Sequence, residues 1–353
     1  MLKRLEVRNY KSLKEVDVQL GRFNVLVGPN ASGKSNFIDC LAFLYETLQV
    51  SHDLTPILEK RGGFQKIIFQ GEEEIVLVAT FQEENQESKY YIKCRGGKIE
   101  ERHLKVNGET IIWERQGSRK YISREGREET FTVDWRKLIG LASNDYVLRQ
   151  MDKWKFYSFM VPKIRGECSA RKQLTLDGDG GNLAQVLLSL RTERPKTFSK
   201  IEEVLKLAIP EVDELLTPLT EEGKTFVAIR EKGFKDLFDY HQLSDGTLRL
   251  LSYITALNLD VDLVCFEEPE NFVHPQLLGL LAEILKKSDK QVILATHSPY
   301  FLDKLELEDL IIVEKEAGKT KFRKVEAEKQ KREIKALLEE GTPLGEAYYS
   351  GAI

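Results

Sequence analysis

Near its start the chain runs a buried strand, a glycine loop and an amphipathic helix together without a gap. Phe23-Asn24-Val25-Leu26-Val27 is a short apolar run. Gly28-Pro29-Asn30-Ala31-Ser32-Gly33-Lys34-Ser35 follows at once, and Phe37, Ile38, Leu41, Phe43 and Leu44 then recur at helical spacing. The pattern Gly-x4-Gly-Lys-Ser has a plain physical reading. Glycines let backbone N–H groups turn inward around phosphate oxygens, and the N-terminus of the next helix adds a favourable dipole. Lys34 then reaches the β- and γ-phosphates, and the Ser35 hydroxyl offers an oxygen to Mg2+. An incidental glycine turn would not need a buried strand before it and an amphipathic helix behind it.

Three further segments carry chemistry. Leu263-Val264-Cys265-Phe266 is an apolar strand that runs into Glu267 and Glu268. Beside a phosphate cradle, the first acid suits Mg2+ and the second suits positioning or deprotonating an attacking water. Neighbouring residues on a strand face opposite ways, so the end of this strand has to turn, and Pro269 can fix that turn. Without the glycine loop, the pair would read as a surface acidic cap. His297, in Ala295-Thr296-His297-Ser298-Pro299, sits just beyond another apolar strand. There an imidazole can hydrogen-bond a γ-phosphate, neutral or charged. Leu243-Ser244-Asp245-Gly246-Thr247 precedes a helix, and two readings stay open. Ser244 or Asp245 is a good N-cap, or Ser244 and Gly246 present a hydroxyl, an N–H and a helix dipole to a phosphate.

The rest of the chain fits an α/β protein. Leu5, Val7 and Tyr10, then Val16, Val18 and Leu20, predict two strands around a turn at Lys11-Ser12. About 67–131 alternates in short β-like runs broken by turns such as Asn107-Gly108 and Glu125-Gly126, which predicts an antiparallel meander. Trp154 to Val161 reads as an aromatic strand ending at Pro162. Helices are predicted at Asn182–Leu188, around Ile201–Ala208, at Leu248–Leu257 and at Gln276–Leu285. Buried strands are predicted at 263–266, Gln291–Ala295 and Leu310–Val313. Such alternation argues for a mainly parallel sheet covered by helices. The formal net charge of −4 over 353 residues excludes a globally basic nucleic-acid binder. Four scattered cysteines, with no C-x-x-C pair, argue against a zinc ribbon or a disulfide framework. No apolar run reaches the ~18 residues of a membrane span, and charged residues stand where a signal peptide needs apolar ones. The expectation is a soluble, cytoplasmic protein.

Taken in order, these motifs resemble the ATP-binding-cassette (ABC) ATPases of the RecF, SMC and OLD group, and look closest to their short stand-alone members. Leu5-Glu6-Val7-Arg8-Asn9-Tyr10-Lys11-Ser12-Leu13 resembles the opening strand and turn of the group. Gly28 to Ser35 resembles Walker A, and Leu243 to Thr247 the signature motif. Phe266-Glu267-Glu268-Pro269-Glu270-Asn271-Phe272-Val273-His274-Pro275 resembles Walker B with its extension, Ala295 to Pro299 the switch motif, and Gly345-Glu346 with Gly351 the tail. The resemblance implies a P-loop NTPase of ABC type, with a mixed central sheet flanked by helices, an antiparallel β subdomain and a helical lobe. Lobe I would cover 1–162, the helical lobe with the signature 163–250, and Walker B, switch and tail 251–353.

It further implies Mg-dependent ATP hydrolysis in an ATP-driven head-to-tail homodimer. Gly28, Pro29, Asn30, Ala31, Ser32, Gly33, Lys34, Ser35 and Asn36 would bind ATP, and Ser35 and Glu267 would hold Mg2+. Glu268 would activate water and His297 would monitor the γ-phosphate. Ser244, Asp245 and Gly246 would act in trans. Ala31 replaces a common glycine, Glu267 the usual aspartate, and Asp245 and Thr247 the Gly and Gln of transporters. No glutamine loop is evident, Gln150 being the nearest candidate. About 80 residues between the aromatic strand and Ser244 leave no length for a long coiled coil, and the 56 after His297 none for a fused nuclease. A DNA-linked role in repair or defence follows as an expectation, with a separately encoded nuclease or toxin as partner. The basic runs Arg115, Arg119, Lys120, Arg124, Arg127 and Lys319, Lys321, Arg323, Lys324 are the candidate DNA contacts, against the plainer reading of solvated charged faces. The competing functions are a transporter ATPase subunit, which needs a glutamine loop and coupling groove, and a nucleotide-dependent binding module without turnover.

Overall fold

The computed structural model describes residues 1–50, 52–115, 118–122, 128–130, 135–141, 146–271, 275–325, 334 and 341–351. The chain forms two units, 1–154 with 308–325, and 155–307 with 326–353.

In the first unit, Leu2–Tyr10 (β1) and Leu13–Gln19 (β2) form the predicted hairpin, with Val7 opposite Val16. The meander is Glu74–Glu83 (β4), Gln86–Arg95 (β5), Lys98–Val106 (β6), Glu109–Arg115 (β7), Ser118–Ile122 (β8) and Glu128–Thr130 (β9). It is not a separate sheet. β1 pairs antiparallel with β4, Val7 opposite Leu77, which gives one eight-stranded sheet in the order β2-β1-β4-β5-β6-β7-β8-β9. Phe23–Val27 (β3) pairs parallel with Leu310–Glu316 (β17), which turns back antiparallel into Lys319–Arg323 (β18). The helix Lys34–Thr47 (α1) buries Phe37, Leu41, Phe43 and Leu44 completely, and Tyr10 of β1 packs its ring 5.3 Å from that of Phe43. Short helices Thr55–Leu58 (α2), Phe64–Ile67 (α3), Trp135–Leu141 (α4) and Tyr146–Asp152 (α5) complete the unit. Gln150 lies on α5.

Asp39 ties α1 to the hairpin. Its carboxylate accepts from the Tyr10 hydroxyl at 2.6 Å, and pairs with Lys11 at 2.6 Å and Arg61 at 2.9 Å. Burial alone would raise its pKa. The bonds from Lys11 and Tyr10 and the charge of Arg61 outweigh it and hold the group below its ordinary 3.8. A depressed carboxyl stabilises the fold fully above its unfolded pKa and loses that contribution as pH falls through the folded value. Asp39→Asn is therefore expected to cost the first unit about 1–3 kcal/mol at neutral pH. In urea titrations the gap to wild type should close as pH drops below about 4.

The second unit begins within Trp154–Tyr157 (β10), which is followed by Val161–Ile164 (α6). The strand expected over Trp154 to Val161 is thus four residues long. Pro162 fits the first turn of a helix, where its missing N–H goes unneeded, and the chain coils there rather than extending. Small ladders join Cys168–Ser169 (β11) to Lys224–Thr225 (β13), and Val212–Leu216 (β12) to Ala228–Glu231 (β14). The helices are Leu183–Glu193 (α7), Pro195–Ala208 (α8), Asp245–Asn258 (α9), Pro275–Lys287 (α10), Pro299–Leu302 (α11) and Leu344–Tyr349 (α12). Leu263–Glu267 (β15) and Gln291–Thr296 (β16) pair in parallel, Glu267 opposite Ala295. Phe266 is fully buried, with the rings of Tyr157 and Tyr253 at 5.5 and 4.9 Å, and this packing anchors the end of β15. Among the described residues no helix is long and apolar enough to cross a membrane.

Candidate nucleotide-binding site

The glycine loop belongs to the first unit and is shaped by what packs against it. A Cβ on Gly28 would stand 2.1 Å from the Val313 carbonyl oxygen of β17. Gly33, at φ 115°, caps α1 in left-handed backbone, and a Cβ there would stand 2.1 Å from Thr320 Oγ1. Only hydrogen fits at either place. Ala31 also takes a left-handed φ, 63°, which costs an alanine about 1–2 kcal/mol that glycine would not incur. The Thr320 hydroxyl donates to the Ser32 carbonyl at 2.8 Å and lies 2.7 Å from Ser12 Oγ, which accepts from Asn36 Nδ2 at 2.7 Å. Thr320 and Ser12 thus brace the loop from β18 and the hairpin turn. Motif spacing does not reveal them, although Thr320 is the one fully buried residue in a basic strand. The Lys34 side chain is buried, and its ammonium donates to the carbonyls of Gly28 at 2.7 Å and Pro29 at 3.0 Å. Ser35, Pro29, Asn30 and Ala31 are exposed, and Asn36 is half-buried.

The acidic turn and the switch loop belong to the second unit, and there they meet. β15 ends at Glu267, which is half-buried. The chain reverses at Glu268 itself, in left-handed backbone with φ 47°, while the Glu268 N–H still donates to Ala295 at 2.8 Å. Asn271 N–H returns to the Glu268 carbonyl at 3.2 Å, so Pro269 is the second residue of a four-residue turn. Non-glycine residues seldom occupy that region, and when they do the surrounding structure has to hold them. Here Asn271 Nδ2 donates to Glu268 Oε2 at 2.7 Å, and buried Arg249 on α9 donates to the Asn271 carbonyl. The Glu268 side chain stays 45% exposed, with its Oε1 4.0 Å from His297 Nδ1.

Glu270 reaches the switch loop from this turn. Its Oε1 accepts from the Thr296 hydroxyl and the His297 N–H, each at 2.8 Å, and lies 3.2 Å from His297 Nδ1. His297 Nδ1 is itself buried beside this carboxylate and makes no hydrogen bond of its own. The sequence marks Glu270 only as part of the extension that follows the two acids, with no sign of this contact.

Ser244 is the N-cap of α9, accepting from Thr247 N–H at 3.1 Å, so the capping reading of this pentapeptide is realised. Arg165 holds the segment by donating to the Leu243 carbonyl at 2.8 Å and pairing with Asp245 at 2.6 Å. Ser244 and Asp245 are exposed and Gly246 is buried. Of the basic runs, Arg124 and Arg127 lie outside the described residues. Lys321 and Arg323 face Glu316 and Glu314 across the β17–β18 hairpin, which neutralises much of that run. Phe272, Val273 and His274 also lie outside the described residues.

Residues 1–121 match a family described as "AAA ATPase domain", and residues 142–303 one described as "AAA domain, putative AbiEii toxin, Type IV TA system". An OLD nuclease of Thermus scotoductus (strain ATCC 700910 / SA-01) is 26% identical over 349 residues, or 90% of this chain. The chain thus matches ATPase domains of the AAA type over most of its length and is similar to an OLD nuclease. It spans 62% of the length of that OLD nuclease. The ribosome protection protein VmlR of Bacillus subtilis (strain 168) is 31% identical over 137 residues, which cover 36% of the ATPase and 25% of VmlR. Among solved structures, the SMC head bound to the C-terminal winged-helix domain of ScpA superposes with a TM-score of 0.64. It covers 94% of this ATPase and 99% of the SMC head at 16% identity, a likeness of fold.

Proposed function

We propose that this ATPase binds and hydrolyses Mg-ATP as a head-to-tail homodimer that forms around the nucleotide. The observation that carries the reading is Glu268, a carboxylate held on left-handed backbone at the end of a buried strand, exposed to solvent and beside His297. A fold maintains such strain where a side chain has work to do. In this reading Glu268 takes the proton of the attacking water, and the His297 ring hydrogen-bonds the γ-phosphate. Lys34 and the N–H groups of Gly28–Asn36 hold the phosphates, and Asn36 also steadies the loop through Ser12. Ser35 and Glu267 supply a hydroxyl and a carboxylate, hard oxygen donors that suit Mg2+. The cation would neutralise charge gathering on the phosphate oxygens.

Ser244, Asp245 and Gly246 are assigned to the partner's nucleotide. Exposure of Ser244 and Asp245 at the start of a 14-residue helix supports this, since a helix N-terminus attracts phosphate. The process served is proposed to be DNA-linked, in repair or defence, with a separately encoded nuclease or toxin as partner. The similarity to an OLD nuclease and to a family named for a toxin–antitoxin system supports that choice.

Complementation tests the head-to-tail arrangement. Lys34→Ala and Ser244→Arg should each be inactive alone. Mixed in equal amounts they should recover about a quarter of wild-type turnover, because half of randomly paired dimers are mixed and each of those contains one whole site. A mixture as inactive as its components would overturn the arrangement.

A further inference from the structure

The backbone of His297 is held on both sides by side chains from far along the chain. Its N–H donates to Glu270 Oε1 at 2.8 Å, and its carbonyl accepts the hydroxyl of Tyr349 on α12. In a loop with no ladder to satisfy them, these two bonds fix the peptide groups that orient the ring. The seat of α12 is specific. Leu344 and Ala347 are buried, and Gly345 N–H donates to Asp303 Oδ1 at 2.8 Å. A Cβ on Gly345 would stand 2.5 Å from the Pro299 carbonyl oxygen and 2.8 Å from Pro299 Cα, so the helix lies directly against the start of α11. Contacts from α12 therefore reach His297, Pro299 and Asp303 in turn, the whole span that leaves the switch.

We propose that α12 is a strap on the switch loop, with Tyr349 the positioning residue that sets where His297 presents its ring. The proposal rests on the reading of His297 as the γ-phosphate contact. The Tyr349 ring is mostly exposed, so its hydroxyl, rather than buried area, accounts for its placement. Burial, and then the charge of Glu270, hold the phenol above its ordinary pKa, which keeps it a donor. Glu270 grips the same residue from the opposite end of its backbone. Movement of α12, by a bound partner or by modification of Tyr349, would thereby reach the nucleotide chemistry without touching the nucleotide.

The experiment uses the full chain and Tyr349→Phe, which removes one hydroxyl from an exposed ring. kcat for ATP should fall about 3–10-fold, the worth of one hydrogen bond, with KM within about twofold. In a His297→Ala background the same change should have no further effect, because Tyr349 acts through His297. An equal loss in both backgrounds, or no loss in either, overturns the strap. Hydrogen exchange supplies a readout that does not need turnover. Amides of 297–303 should exchange several-fold faster in Tyr349→Phe and in Gly345→Ala, with β15 unchanged. If wild type hydrolysed no ATP, the nucleotide reading would fail, and the exchange result would still decide whether the strap exists. Unchanged exchange would overturn it.

Discussion

Arg102→Met lowers the stability of the first unit by about 3–5 kcal/mol, the largest stability loss expected of any single side chain here. Arg102 on β6 and Glu114 on β7 face each other in register and form an ion pair of 2.7 Å, with side chains 0% and 1% exposed. The guanidinium also donates to the carbonyls of Thr47, the last residue of α1, at 3.1 Å and of Val50 at 3.2 Å, and lies 4.5 Å over the Trp135 ring. It thus closes the C-terminal end of the helix whose other end carries the glycine loop. Methionine fills similar volume but leaves a buried carboxylate without its cation. Charge desolvated without a partner is far costlier than the same space filled by apolar groups. The double change Arg102→Met, Glu114→Leu should accordingly recover much of the loss. Equilibrium unfolding in guanidinium chloride checks both statements. A single-variant loss below about 1 kcal/mol would mean that the pair is not desolvated in solution.

Glu268→Gln lowers kcat for ATP by about 10²–10⁴-fold, the usual contribution of a general base. The substitution is nearly isosteric and keeps an oxygen for Asn271 Nδ2. It does not change the backbone at φ 47°, since glutamine bears the same Cβ burden. Nucleotide affinity should stay within a few-fold, because the cradle lies in Gly28–Asn36. Turnover within about threefold of wild type would assign the proton transfer elsewhere.

What the sequence made legible follows from the range of the interactions. The glycine loop is local, and strand, turn and helix are all encoded within 23–47. The hairpin of β1 and β2 is local too, and its alternation placed the turn correctly at Lys11-Ser12. Pairing of β1 with β4 is not, since Val7 meets Leu77 across 70 residues and no short-range pattern sets that register. The same limit hid the braces of the glycine loop. The Ser12 and Thr320 hydroxyls are 308 residues apart in the chain yet 2.7 Å apart in space. Arg102 had a readable signal, because its period places it on the inward face with Leu104 and Val106, an unusual position for a charge. The need for a turn after Glu267 was legible from strand geometry. Its mechanism was not: Glu268 itself turns left-handed, and Pro269 continues the turn. Trp154–Val161 was overread as a strand because its aromatic side chains fit one, whereas the proline fits the first turn of a helix. The switch histidine was placed by its strand, while Glu270 and Tyr349, 27 and 52 residues away, became visible only in three dimensions.

The central claim, that two chains clasp shared ATP, is tested most directly by the solution mass of Glu268→Gln measured by light scattering with and without Mg-ATP. A monomer of 40.6 kDa without nucleotide should become a particle of twice that mass with it, and Lys34→Ala in the same chain should abolish the change. A mass that does not respond to Mg-ATP, in a variant that still binds the nucleotide, would contradict the account.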